Sequence, residues 1–242
     1  MSPRPRPNPQ NPRSGSLLAV LLLPVCLLSA CLLLAGCAGK PPEIGALFWQ
    51  LNLVDDREQD LLYYALSVFV QAADADGNED LEEIYIIHDG EELFWRLDRE
   101  TWLTRDQADE TWVGANSISL PTGTMLPGGE YRVLLIDAAG ESDETSFILK
   151  PLSPVDPRRL LPAVTVDTDT ISVAGSRQSY SLWLYNAAGE YLAALALEQR
   201  RFSIRQILSV YPALASGFLF RIHSGAEGGQ LGVVSGPYYV QP

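Results

Sequence analysis

From residue 43 onward, apolar and polar positions alternate with a period of two more often than they recur at helical spacing. Tyr64, Leu66, Val68 and Val70 fall on one face of an extended segment, with Ala65, Ser67 and Gln71 on the other. Tyr131, Val133 and Leu135 repeat the pattern around Arg132 and Leu134. Further strands fit 47–53, 83–88, 93–97, 117–120 and 146–149, and turn signals separate them: Asp76-Gly77-Asn78, Asp89-Gly90, Pro127-Gly128-Gly129 and Ala139-Gly140. About seven short strands with no helical crossover predict an antiparallel β-sandwich over residues 43–150.

A proline-rich stretch at 151–162 suits neither helix nor central strand and is expected to act as an extended linker. Beyond it, residues 163–242 are expected to form a smaller β-rich domain, with strands at 179–185, 191–197, 218–223 and 238–240. One short helix is expected there. Ser203 as N-cap with Gln206 three positions on makes a capping box, Phe202 and Ile207 make the flanking hydrophobic staple, and Pro212 ends the element. The two halves share one device: Leu135-Ile136-Asp137-Ala138-Ala139-Gly140-Glu141 and Leu184-Tyr185-Asn186-Ala187-Ala188-Gly189-Glu190. Each has an Asx to brace the turn and a glycine for a positive φ.

The N-terminus follows a different pattern. Residues 1–16 are basic and broken by proline, and Leu17 to Gly36 carries no charge, which marks an export signal or a membrane anchor. The run is long enough to weigh a retained transmembrane helix, although Pro24 interrupts it. Its end discriminates between the two, because Leu34-Ala35-Gly36-Cys37 resembles the lipobox of bacterial lipoproteins. That resemblance implies a bacterial source, a signal peptide of residues 1–36 cut before Cys37, and a lipid attached to the Cys37 thiol. Two or three acyl chains at about 0.8 kcal/mol per buried CH₂ hold a protein to a membrane essentially for good. Cys26 and Cys31 would leave with the signal, so no disulfide within the exported chain is expected. Residues 37–42 would form a tether reaching about 20 Å when extended. Ala38, where an Asp would retain such a protein at the inner membrane, resembles an outer-membrane address.

Two segments of the first domain carry a second resemblance. Leu126-Pro127-Gly128-Gly129-Glu130-Tyr131-Arg132-Val133 looks like the turn and strand F of fibronectin type III and related immunoglobulin-like domains. The family pattern implies that the Tyr131 hydroxyl bonds back across the corner. The stretch from Val68 to Ile87 is similar to one common in bacterial immunoglobulin-like domains. The implied fold is all-β, an Ig-like or FnIII-like sandwich, and it leaves function open.

Charge narrows the partners. Thirty acidic residues against 17 basic ones give a net charge of -13. Residues 43–150 hold 24 of the acids and six bases, while 151–242 are nearly balanced with six acids and seven bases. An acidic domain disfavours nucleic acid, which needs a basic face. Asp74, Asp76, Asn78 and Asp80 offer hard oxygens for calcium, but an EF-hand count from Asp74 puts Gly77 at position four and Tyr85 at twelve, so an acidic inter-strand turn competes with a calcium site. Of the tryptophans around the polar excursion 98–110, Trp102 is the candidate for carbohydrate stacking. His88 and His223 stand alone, and no catalytic or phosphate-binding motif is present. The sequence therefore predicts a lipid-anchored envelope protein acting as a non-enzymatic interaction or structural module, with a carbohydrate-binding or calcium-stabilised adhesion module as the alternative. Its partners would be the membrane, through the anchor, and a protein or envelope glycan.

Overall fold

Apolar residues at every second position of residues 47–53 pull that stretch against a core. The strand they form, β1 (Glu43–Asp56), pairs antiparallel with β2 (Leu61–Ala73) along its whole length. In the computed structural model, which describes residues 39–75, 77–108, 110–152, 156–196, 200–225 and 231–241, these two strands lie inside an eight-stranded sheet. Its order is β12 (Tyr191–Ala196), β11 (Ser181–Asn186), β14 (Phe218–Ser224), β15 (Leu231–Val240), β1, β2, β6 (Glu110–Ile118) and β5 (Leu103–Gln107). Every pairing is antiparallel except β1 with β15, which run parallel with Leu51 opposite Leu231. Strands from both sides of the proline-rich stretch thus share one sheet. Among the described residues one compact unit begins at Pro41.

Two smaller sheets lie against one face of this long sheet. The first contains β4 (Leu93–Asp98), β3 (Leu81–His88), β7 (Gly129–Asp137) and β8 (Ser142–Leu149) in that order. Leu51, Leu66, Val68, Val70, Val113 and Ala115 from the long sheet meet Ile84, Ile86, Tyr131, Val133, Leu135 and Phe147 from the smaller one. That is the sandwich expected from alternation, with apolar burial as its driving force. The second small sheet, β13 (Arg201–Ser203), β10 (Thr170–Ala174) and β9 (Ala163–Val166), packs with the helix α1 (Ile204–Val210) over Leu182, Leu184, Phe218, Phe220 and Ile222. Among the described residues the protein is therefore all-β with one short α-helix.

Local signals are realised atom by atom. Tyr131 is fully buried, its hydroxyl donates to the Pro127 carbonyl at 2.8 Å, and burial pushes that hydroxyl up to about 12. Its ring stacks on Phe147 and receives His88 edge-on, with centroids 5.2 and 4.7 Å apart. Asp137 Oδ1 accepts from the Glu141 N–H, and Asn186 Oδ1 accepts from the Ala188 and Glu190 N–H groups. Gly140 and Gly189 follow at φ of 81° and 84°, the left-handed conformation that the paired turns require. Ser203 Oγ accepts from the Gln206 N–H at 3.3 Å, capping α1.

Other segments differ from the sequence expectation. The polar excursion 98–110 contains β5, an edge strand exposed on both faces and therefore without alternation. The strand expected at 117–120 is β6, ending at Ile118 and reaching back to Glu110 through Gly114. That glycine reads as a break, yet a Cβ there would collide with the Val68 carbonyl and the Phe69 ring, so close approach of β2 requires it. In the proline-rich stretch, Pro157–Leu160 forms a 3₁₀ turn capped by Asp156, and Leu152 packs against the first core.

Candidate functional site

The long sheet's other face is turned away from both small sheets. The register places Phe48, Gln50 and Asn52 of β1 there, opposite Phe69, Ser67 and Ala65 of β2. Gly232 and Val234 of β15, Arg221 and His223 of β14, and Ser181 and Trp183 of β11 share that face. Phe48 is 48% exposed, whereas Asn52 and Ser67, short side chains among longer ones, are each only 6% exposed.

A continuous chain of side-chain hydrogen bonds crosses this face. Gln50 Nε2 lies 2.6 Å from Asn52 Oδ1 and 3.2 Å from His223 Nε2, so both of its hydrogens are used. Asn52 Nδ2 donates to Ser67 Oγ at 3.1 Å and to the Gln50 carbonyl at 3.3 Å. At the other end Ser181 Oγ lies 3.3 Å from His223 Nδ1 and donates to the His223 carbonyl. An amide nitrogen has no lone pair to offer, so His223 Nε2 must be the acceptor and Nδ1 must carry the ring proton. Burial acts in the same direction, bringing His223 down to about 4. Trp183 stacks on the imidazole with centroids 4.5 Å apart.

Gln50 is on β1 and His223 on β14, with β15 between them. The bridge exists because β15 carries Gly232 at that point. A Cβ there would run into Gln50 Nε2 and Asn52 Oδ1. Glycine therefore opens the lane through which Gln50 ties one half of the sheet to the other. Around this strip stand Phe48, Phe69, Trp112, Tyr63 and Tyr185. Burial pushes the Tyr63 and Tyr185 hydroxyls up, with Arg221 drawing both back.

The sequence-predicted site residues fall elsewhere. Trp102 is half-buried against the first core, as is Trp95, whose indole N–H donates to the Ser119 carbonyl. Trp112 lies on the outer face and donates to Glu110 Oε2. In the acidic turn, Asn78 Oδ1 accepts from the Asp74 N–H at 3.1 Å and Asn78 Nδ2 donates to Thr111 Oγ1, while the Asp80 carbonyl accepts from Ala138 N–H. Asp76 and Cys37 lie outside the described residues. Among the described residues no group of three or more His, Cys, Asp or Glu is placed to hold a metal ion. No helix among them is long and apolar enough to cross a membrane.

The outer face of the smaller sandwich sheet offers a shallow cavity of about 420 Å³ beside Tyr85, Ile87, Asp89 and Phe94. Several of the polar groups around it are already engaged. Asp89 is ion-paired to Arg132, which also holds Glu144, and His88 accepts the Glu91 N–H at Nδ1 while its Nε2 faces the Gly128 carbonyl. Glu83 is likewise taken by Arg96 at 2.6 Å.

No family model matches the chain, and no curated protein does. Among solved structures it is similar to Tp47, the 47-kilodalton lipoprotein of Treponema pallidum, at 9% identity and a TM-score of 0.37, over 81% of this chain and 50% of that one. It is also similar to the BSP domain of a biofilm-associated protein, at 14% identity and a TM-score of 0.26, over 84% of this chain and 29% of that one. The chain spans half or less of the length of either structure.

Proposed function

We propose that this protein is a non-enzymatic interaction module held at the bacterial envelope through a lipid on Cys37, with the outer face of its long sheet as the working surface. The observation that carries the reading is the strip of amide, hydroxyl and imidazole groups set among Phe48, Phe69, Trp112 and Trp183 on a face that neither core uses. Such a face binds by shape and by stacking on aromatic rings that a strip of mutually bonded polar groups holds in place. His223 is fixed as an acceptor toward Gln50 and the His88 nitrogens are both spent, which favours binding over proton transfer. The aromatic rings along this face favour a glycan, whose sugar faces stack on them, as ligand, with a protein strand or loop as the other occupant.

Two experiments test this reading. Metabolic labelling with an alkynyl fatty acid should tag the wild-type protein and leave Cys37→Ser unlabelled; equal labelling of both would overturn the anchor. A photo-reactive amino acid placed in cells at Phe48 or Trp112 should give adducts with envelope material that the same probe at Val210, on α1, does not. Equal labelling from Val210 would remove the working-surface assignment.

A further inference from the structure

The three sheets have six edges among the described residues, and five carry a recognisable guard against pairing with another strand. β5 presents exposed Arg105 and Asp106, and β4 presents Arg96 and Asp98. β8 carries Asp143 and Glu144, and Asp143 Oδ2 accepts the β1 N–H of Ile44 at 2.8 Å. β9 and β13 are four and three residues long. The sixth edge, β12, reads Tyr191-Leu192-Ala193-Ala194-Leu195-Ala196 with no charge, proline or glycine. One side of it is paired to β11, and Tyr191 and Leu192 are 56% and 40% exposed.

We propose that β12 pairs antiparallel with β12 of a second copy of this chain, joining two eight-stranded sheets across a twofold axis. A twofold pairs the same row of N–H and C=O groups with itself, so one strand supplies both halves of the ladder. Charge selects the second copy at this edge. Residues 151–242 carry six acids and seven bases, whereas an approach through β5 would bring together two halves that each hold 24 acids and six bases. A charge-free edge likewise offers no complement to a charged partner strand. Because outward-turned backbone groups occur on alternate residues, the axis must pass through a residue, and overlap is greatest with it at Ala193 or Ala194. These small side chains let the two backbones meet at about 4.5–5.5 Å between Cα atoms, a separation a disulfide spans. The proposal is independent of the working-surface reading above.

The test uses the full-length protein in its own membrane, carrying Ala193→Cys, Ala194→Cys or, on the guarded edge, Thr104→Cys. Under mild oxidation, a disulfide-linked species of twice the monomer mass is expected from position 193 or 194 and absent from Thr104→Cys and from the unaltered chain. Adding Leu192→Lys should remove most of that species while leaving the thermal unfolding of the protein unchanged. Failure of both edge cysteines to cross-link would overturn the proposal. So would equal cross-linking from Thr104→Cys, a product of some other mass, or persistence of the dimer with Leu192→Lys.

Discussion

Protonating His223 should destabilise the fold. The ring is buried among Trp183, Ser181 and Gln50, and its Nε2 faces the Gln50 amide nitrogen, which can only donate. A proton added there sets two donors against each other in a desolvated site. An unfolded histidine titrates near 6.5 and the folded one near 4. Between those values the unfolded chain binds the proton and the folded chain does not, so stability is full above about pH 6.5 and falls as pH drops. The loss reaches about 2 kcal/mol at pH 5 and levels off at about 3 kcal/mol below pH 4. Glu83, Asp89 and Asp98 are held below their ordinary range by hydrogen bonds from Arg96, Arg132 and Thr101, so the stability they add is lost only as pH falls through ordinary carboxylate values at the lower end of this window, equally in wild type and variant. Urea unfolding followed by tryptophan fluorescence between pH 7.5 and 4.5, on wild type and His223→Gln, isolates the effect. Glutamine keeps a polar group near Gln50 and Ser181 without titrating, so its profile should be flatter by about 2 kcal/mol at pH 5. Parallel profiles would refute the account of His223 as a buried neutral acceptor.

Gly232→Ala should displace Gln50 and leave His223 and Asn52 short of a partner, at a cost of about 1–3 kcal/mol in urea unfolding. An unchanged midpoint would mean that Gln50 does not depend on that lane. Tyr131→Phe removes the donor to the Pro127 carbonyl and should cost about 1 kcal/mol with the near-ultraviolet spectrum retained, whereas Tyr131→Ala should cost about 3–5 kcal/mol. Similar losses for both would show that the hydroxyl and not the ring carries the corner. Ser203→Ala should lower stability by about 1 kcal/mol, and Ser203→Asp should restore most of it; no loss on Ser203→Ala would place the start of α1 under tertiary control alone.

The parts legible in advance are those whose cause lies within a few residues. The turns at Asp137 and Asn186 and the cap at Ser203 depend on side chains acting on nearby backbone and are read directly from spacing, while the Tyr131 corner, equally local, follows from the resemblance of residues 126–133 to a known strand pattern. What escaped depends on partners far along the chain. β9, β10 and β13 are short pieces whose identity as strands comes from one another, and β5 has no buried face to impose a period. The polar strip was hidden for the same reason. Gln50 and Asn52 interrupt an otherwise apolar run at alternate positions, a sign that one face of β1 differs from the other, but nothing near them points to Gly232 or His223. Trp102 drew attention as an aromatic residue in a polar stretch, and its packing against the first core is a tertiary fact.

The parallel pairing of β1 with β15 imposes an order on biosynthesis. A ribosome delivers β1 well before β15, with Leu51 waiting for Leu231. β2 can cover one edge of β1 soon after it emerges, but the other edge stays bare until β15 arrives. Closing so long a loop is slow, because its entropy must be met before the contacts form. Until then β14 also lacks a neighbour on that side, so neither half of the long sheet is complete alone. A chain cut short before Leu231 would leave two unprotected edges and should be far more prone to aggregate than its lost length suggests.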